Sequence, residues 1–240
     1  MRESRFENKV AVIFGGSSGI GRGVSHRLAS LGATSIALSR REPQDKKESV
    51  WLKCDVNSEA EIKRAVGKIR DRFKRIDILV NAMGINFSRP IEEIGLLEWN
   101  KVLQTNLTGA FLTMREVVPM MKENRSGKIV NIASIAGRHR SIASGAHYVS
   151  SKAGLIGLTK QAAYELGKFN INVNAVCPSQ TQTPMLDKTM TAEQKIRLTQ
   201  NIPLQRLADI SDQVEPVVFL CSSGSKYMTG AVIDVNGGLL

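Results

Sequence analysis

The sequence predicts an α/β fold: a doubly wound parallel sheet of about seven strands flanked by helices. Three observations carry this. Short apolar runs alternate with helical periodicity almost from end to end, the first run feeds directly into a glycine-rich turn, and that turn opens a helix. No linker-like stretch divides the chain, so residues 1–240 are expected to form a single domain.

Val10–Phe14 is wholly apolar, as a strand buried on both faces must be. Ile20, Val24, Leu28 and Leu31 then recur at helical spacing, with Gly32 placed to end the helix. Ser35–Leu38 reads as the next strand. Ser58 and Glu61 have the spacing of a capping box, opening a helix that turns Ile62, Ala65, Val66, Ile69 and Phe73 inward. Ile78–Val80 and Lys128–Ile132 are strands separated by one long helix around Leu97–Lys122. Tyr148–Lys168 is expected to be helical and Ile171–Val176 extended. Ser211 is expected to cap a helix carrying Val214, Val217, Val218 and Leu220, with Pro216 disturbing its first turns; Ala231–Val235 supplies a last strand. Gln180–Asp209 is the least regular region, long enough to be a lid over a substrate.

Composition narrows the function. Apolar runs such as Val217–Cys221 are too short to cross a bilayer, and Met1–Lys9 is polar without the apolar core of a signal peptide. Cys54, Cys177 and Cys221 are scattered, without metal-ligand spacing, and read as reduced thiols of an intracellular protein; no metal is expected. Cytoplasm is the default location, with a mitochondrial matrix as the alternative. The net charge of +11 fits either a solvated basic surface or attraction of acidic partners. Nucleic acid is not expected, because the basic residues form no dense block and aromatics at 5% offer little for base stacking. A membrane surface is not expected either.

Gly15-Gly16-Ser17-Ser18-Gly19-Ile20-Gly21 lies between the first strand and its helix. Glycine lets backbone approach a pyrophosphate, and the helix N-terminus turns unpaired N–H groups toward its charge. Gly15, Ser17, Ser18, Gly19, Ile20 and Gly21 are therefore candidate cofactor contacts. An NAD site usually ends its second strand with an acid; here the residues are Ser39, Arg40 and Arg41. A hydroxyl and guanidinium groups suit a 2′-phosphate, so NADPH/NADP+ is expected over NADH. Arg41 is equally readable as solvated, which leaves Arg40 the principal candidate.

Ser134 ends a buried strand, and Tyr148 and Lys152 share a helix face at i, i+4 spacing. A phenol titrates near 10 in water, and a neighbouring ammonium is expected to lower that value. Ser134 can hydrogen-bond a substrate carbonyl while Tyr148 delivers a proton to its oxygen.

These motifs in this order resemble the short-chain dehydrogenase/reductase family over essentially the whole chain, which implies a Rossmann fold and an NAD(P)-dependent oxidoreductase acting on CH–OH/C=O groups. The resemblance implies that Asn106, in Thr105-Asn106-Leu107, is the catalytic asparagine that helps hold a water in a proton relay with Lys152, and that Lys152 also binds the nicotinamide ribose. It further implies cofactor contacts from Asp55 and Val56, from Asn81, Ala82 and Gly84, and from Pro178, Thr181 and Thr183. Three positions depart from the family pattern: Phe14 stands before the loop, Ala82-Met83 replaces Asn-Ala, and Ser179 follows Pro178. None removes a group that performs chemistry.

Asn201–Arg206 and the stretch Tyr227–Gly238 resemble the 3-oxoacyl-[acyl-carrier-protein] reductase branch. Arg125 matches a basic residue that docks the acidic carrier protein, whereas the second such position is Phe169, with Lys168 adjacent. The resemblance also implies a homotetramer packed through the Asn106 and Tyr148 helices. Sugar or polyol dehydrogenases share much of the same C-terminal pattern, so their substrates stay open. A non-enzymatic NADP-binding regulator is the alternative of another class, disfavoured because Tyr148 and Lys152 are both present. His147, turned to another side of the helix, and Met185, in the irregular segment, are weaker substrate candidates. Arg138, His139 and Arg140 either steer an acidic substrate or form a solvated loop.

Overall fold

Alternate residues of the first strand bury against opposite layers. Val10, Val12 and Phe14 join one apolar cluster, and Ala11 and Ile13 join the other. The structure is a computed structural model that describes residues 6–43 and 50–240, apart from the side chains of 187–189. Its strands are β1 (Val10–Phe14), β2 (Thr34–Ser39), β3 (Val50–Lys53), β4 (Ile78–Asn81), β5 (Gly127–Ile132), β6 (Ile171–Pro178) and β7 (Val232–Val235). They form one parallel sheet in the order β3-β2-β1-β4-β5-β6-β7. The order reverses between β1 and β4, and an open α/β sheet forms its ligand crevice at the carboxyl ends beside such a reversal.

Helices α1 (Gly19–Ser30) and α8 (Ile210–Cys221) cover one face through Val24, Leu28, Val214 and Val217. The opposite face carries α2 (Glu59–Phe73), the helix pair α3 (Leu96–Leu103) and α4 (Gly109–Glu123), and α5 (Ala146–Leu166). Between β6 and α8 lie α6 (Pro184–Thr189) and α7 (Ala192–Asn201), whose Leu186 and Leu198 close a small cluster with Ala143 and Ile202.

Several boundaries differ from expectation for identifiable reasons. The long helix is broken at Gln104–Thr108 by a π-turn, which shifts the hydrogen-bond register and carries Thr105 and Asn106 into the interior. Gln180–Asp209 is not irregular throughout: the Thr183 and Thr191 hydroxyls cap α6 and α7. The final helix is capped by Asp209 rather than Ser211, with the Asp212 carboxylate accepting from the Asp209 N–H at 2.8 Å. Pro216 is accommodated without a break. Ser58 accepts from the Glu61 N–H at 3.3 Å, but Glu61 reaches past it to the Asp55 N–H at 2.8 Å, so the expected capping box closes on one side only. Helix α5 begins two residues before Tyr148 and ends at Leu166, continuing as a 3-10 turn over Gly167–Phe169.

A buried chain of polar side chains links β4 and β5 to the two helices above them. Thr113 of α4 donates to Asn81 Oδ1 at 2.7 Å, Asn81 Nδ2 to Asn131 Oδ1 at 2.9 Å, and Asn131 Nδ2 to Thr159 of α5 at 2.9 Å. Asn131→Leu would leave the Asn81 amide donor buried and unpaired. We expect it to cost about 2–3 kcal/mol, read from urea denaturation of the cofactor-free protein.

Candidate functional site

The carboxyl ends of β1, β2, β4, β5 and β6 open into one cleft of about 1290 Å³. That exceeds what a single small molecule requires and gives room for a dinucleotide together with a substrate. Gly15 leaves β1 at φ +81°, and a Cβ there would stand 2.6 Å from the Met83 nitrogen, so the loop and the segment after β4 meet backbone to backbone. Ser17, Ser18, Gly19 and Ile20 continue the wall, with Ser18 as the N-cap residue of α1. The unpaired N–H groups of the α1 N-terminus suit a phosphate. Gly21 lies off the wall: a Cβ on it would stand 2.4 Å from the Gly15 carbonyl oxygen, so its work is close packing, not contact with a ligand.

At the end of β2 the Ser39 hydroxyl donates to the Arg41 carbonyl at 2.6 Å and accepts from the Trp51 indole at 2.9 Å. This fixes the turn that presents Arg40 and Arg41, both exposed on the cleft wall and without an ion pair among the described residues. Trp51 is a supporting residue that periodicity alone does not reveal. Asp55 and Val56 form the adjoining wall, Asp55 accepting from the Asn57 N–H at 3.0 Å. Ala82 and Gly84 line the centre. Asn81 does not: it is 1% exposed and committed to the polar chain described above, so it steadies the sheet without reaching a ligand. The three unusual positions keep their backbone paired. Phe14 is buried, its carbonyl accepting from the Ala82 N–H at 2.8 Å, and the Ser179 N–H donates to Val235 at 3.1 Å.

Ser134 follows β5 with its hydroxyl accepting from the Ala136 N–H at 3.1 Å. Tyr148 and Lys152 reach the same wall from the first turns of α5. Lys152 is buried, and Nζ donates to the Ile132 carbonyl at 2.7 Å and lies 5.7 Å from the Tyr148 ring centre. The expected electrostatics are reversed. Burial pushes the Tyr148 phenol above its usual value, partly opposed by a hydrogen bond with Ser134, and Lys152 is not among the causes. Burial likewise lowers Lys152 to about 8, the thiol of Cys177 opposing. The phenol therefore keeps its proton at neutral pH.

Asn106 is not on the cleft wall. Its amide accepts from the Ile85 N–H at 2.8 Å and donates to the Ile85 carbonyl and to Ser151 Oγ, each at 3.0 Å. Ser151 in turn donates to the Tyr148 carbonyl at 2.8 Å, so Asn106 braces Tyr148 with both of its amide N–H donors engaged and one Oδ1 lone pair still open. Gly137 is a further supporting residue that sequence reasoning passed over. A Cβ there would lie 2.6 Å from the Lys152 carbonyl carbon, so only glycine lets the Ser134 turn pack this closely on α5.

Pro178, Thr181, Thr183 and Met185 line the cleft, and Thr183 faces Gly19 across it. His147 does not: it is buried, its Nδ1 accepting from the Tyr148 N–H at 2.8 Å and its Nε2 meeting Glu98 at 3.1 Å. Arg125 sits before β5, on the order of 20 Å along the strand direction from Ser134, and reaches the Lys168 carbonyl instead. Arg138 is drawn off to Asp234 at 3.2 Å, whereas His139 and Arg140 stand on the wall. The three cysteines are buried free thiols, and no cluster of metal-binding side chains occurs among the described residues.

A family model described as enoyl-(acyl carrier protein) reductase matches residues 15–240. A 3-oxoacyl-[acyl-carrier-protein] reductase of Thermotoga maritima is 38% identical over 98% of this chain and 99% of its own length. Its counterpart in Staphylococcus epidermidis is 36% identical over 97% and 99%. The ligand-free structure of Thermoplasma acidophilum aldohexose dehydrogenase superposes with a TM-score of 0.92 at 29% identity, covering 100% of this chain and 96% of that one.

With Lys152 near 8 in the folded protein and 10.5 as its ordinary value, the unfolded chain binds more protons between those pH values. This group's penalty on folding is therefore full below pH 8 and relieved as pH rises toward 10.5. Relative to Lys152→Met, the cofactor-free wild type should gain stability from pH 7.5 to pH 10, measured by denaturant titration at each pH.

Proposed function

The chain belongs to the short-chain dehydrogenase/reductase family, and from that premise we propose that it is an NADPH-dependent reductase of 3-oxoacyl thioesters. The carrying observation is that Ser134, Tyr148 and Lys152 share one cleft with the glycine loop. A nicotinamide cofactor fits this cleft: the close approach at Gly15 and the N-terminus of α1 suit its pyrophosphate, and Arg40 with Ser39 suits a 2′-phosphate. When bound it supplies the hydride. Ser134 donates a hydrogen bond to the substrate carbonyl oxygen, and the Tyr148 phenol, kept protonated by burial, transfers its proton to that oxygen. The Lys152 ammonium binds the ribose and supports the phenolate that results. Asn106 acts as a positioning residue through Ser151.

Exposed Ile142 and Met185 at the mouth favour an acyl chain over a sugar. The sugar or polyol reading draws on the aldohexose dehydrogenase neighbour and on the Asn86 and Gln180 side-chain oxygens, buried acceptors without partners on the same wall. The family model's description adds enoyl reduction as a reaction to test. An acidic acyl-carrier protein remains the proposed partner, supported by the relatives' names and the net charge of +11. Arg125, at the far end of β5, does not face this chain's own cleft, so it is a weak choice of docking point. Exposed Phe111 on α4 and Tyr164 on α5 support pairing of those helices in a homotetramer. Bacterial relatives support a cytoplasmic location and give a mitochondrial one no support. No described helix is long and apolar enough to cross a membrane.

NADPH oxidation against 3-oxoacyl and enoyl thioesters, diketones and keto sugars tests the reading; turnover of keto sugars alone would refute it. Tyr148→Phe should lower kcat by on the order of 10²–10⁴-fold while NADPH still binds, measured by cofactor fluorescence. Arg40→Asp should weaken NADPH by roughly 10- to 100-fold and NADH far less; equal losses would count against the 2′-phosphate assignment.

A further inference from the structure

Charge is distributed unevenly along the cleft. One end carries Arg40 and Arg41 beside Asp55, the only carboxylate side chain among the described lining residues. The other end, beyond Ser134 and Tyr148, carries exposed His139 and Arg140. Neither has a carboxylate within ion-pair distance among the described residues, whereas the neighbouring Arg138 is paired with Asp234.

These two side chains stand on a short segment that is tied down at both ends. Arg138 bonds Asp234 and the Val232 carbonyl before it. After it, Asn86 Nδ2 donates to the Ala143 carbonyl at 3.1 Å and the Gly145 N–H to the Phe87 carbonyl at 2.8 Å. Ser141 Oγ also accepts from the Ala143 N–H at 3.2 Å. A guanidinium and an imidazole are thus presented to the cleft, next to apolar Ile142, with Met185 on the same lining. An unpaired arginine on a braced loop is suited to an oxyanion, which it can meet with two parallel N–H groups.

We propose that His139 and Arg140 form a recognition site for an oxyanion on the tail of the carbonyl substrate, with Ile142 and Met185 bordering the apolar stretch between tail and carbonyl. The proposal rests on the ketone-reductase reading above and deepens it. It excludes Arg138 from binding and separates this oxyanion from the cofactor's phosphates at the opposite end. The oxyanion is the phosphate of a pantetheine thioester or the carboxylate of a keto acid.

Two matched pairs distinguish these sources under saturating NADPH at low salt: 3-oxobutanoyl-4′-phosphopantetheine against 3-oxobutanoyl-pantetheine, and a keto acid against its methyl ester. The readout is the ratio of kcat/KM for the charged and neutral members. One pair should give a wild-type ratio of about 10 or more, falling toward unity in Arg140→Gln and below unity in Arg140→Glu; that pair names the oxyanion. A ratio near unity in both pairs, or one unmoved by Arg140→Gln, overturns the proposal while leaving ketone reduction intact. Should no member of either pair react, the ketone-reductase reading fails. Calorimetric binding of 4′-phosphopantetheine, pantetheine and the keto acid to the NADP+-loaded wild type and Arg140→Gln then decides the oxyanion site alone. Tighter binding of a charged ligand that the substitution abolishes supports it, and equal binding overturns it.

Discussion

The chain of hydrogen bonds from Thr113 through Asn81 and Asn131 to Thr159 is the constraint on which much of this molecule rests. Apolar packing holds α4 and α5 against the sheet but is non-directional, so it permits small slides and rotations. Two buried amides that must each find partners permit far fewer. The chain fixes α5 in register with β5, and β5 ends at the Ser134 turn while α5 begins near Tyr148. Two elements distant in sequence thereby deliver their side chains to one wall.

The same register explains the protonation of the site. Lys152 is buried because its ammonium meets the Ile132 carbonyl at the end of β5, and the price is a lowered pKa. Tyr148 loses water on the same wall and keeps its proton. Spacing alone suggests a lysine lowering a tyrosine, which would require desolvation to be the smaller effect. In the folded protein it is the larger one for both groups.

The alternation of strands and helices, the phosphate loop and the placement of Ser134, Tyr148 and Lys152 are legible in the sequence because each leaves a local pattern. What is illegible depends on pairings between distant segments. No periodicity announces the π-turn at Gln104–Thr108, so the bracing of Tyr148 by Asn106 through Ser151 leaves no trace in the sequence, where Asn106 stands out by resemblance alone. Asn81 and Gly21 are ligand contacts by resemblance, but packing takes them away from the cleft, and Asn81 keeps only the part of steadying the sheet. Arg125 is a docking residue by resemblance alone, and the run of β5 sets it at the opposite end of that strand from Ser134. Gly137 goes unnoticed because its reason is the Lys152 backbone, fifteen positions later.

The bridge from Arg138 to Asp234 marks a mechanical boundary. On the Ser134 side, Gly137 is wedged on the α5 backbone and tolerates no added atom. On the other side, His139–Ile142 forms a span whose exposed side chains are His139, Arg140 and Ile142. Natural variation or a designed library confined to that span could retune which molecules enter without moving the groups that handle protons. A stiff support for Ser134 thus adjoins a short exposed span that is anchored at its two ends, by Arg138 on one side and by Asn86 and Phe87 on the other.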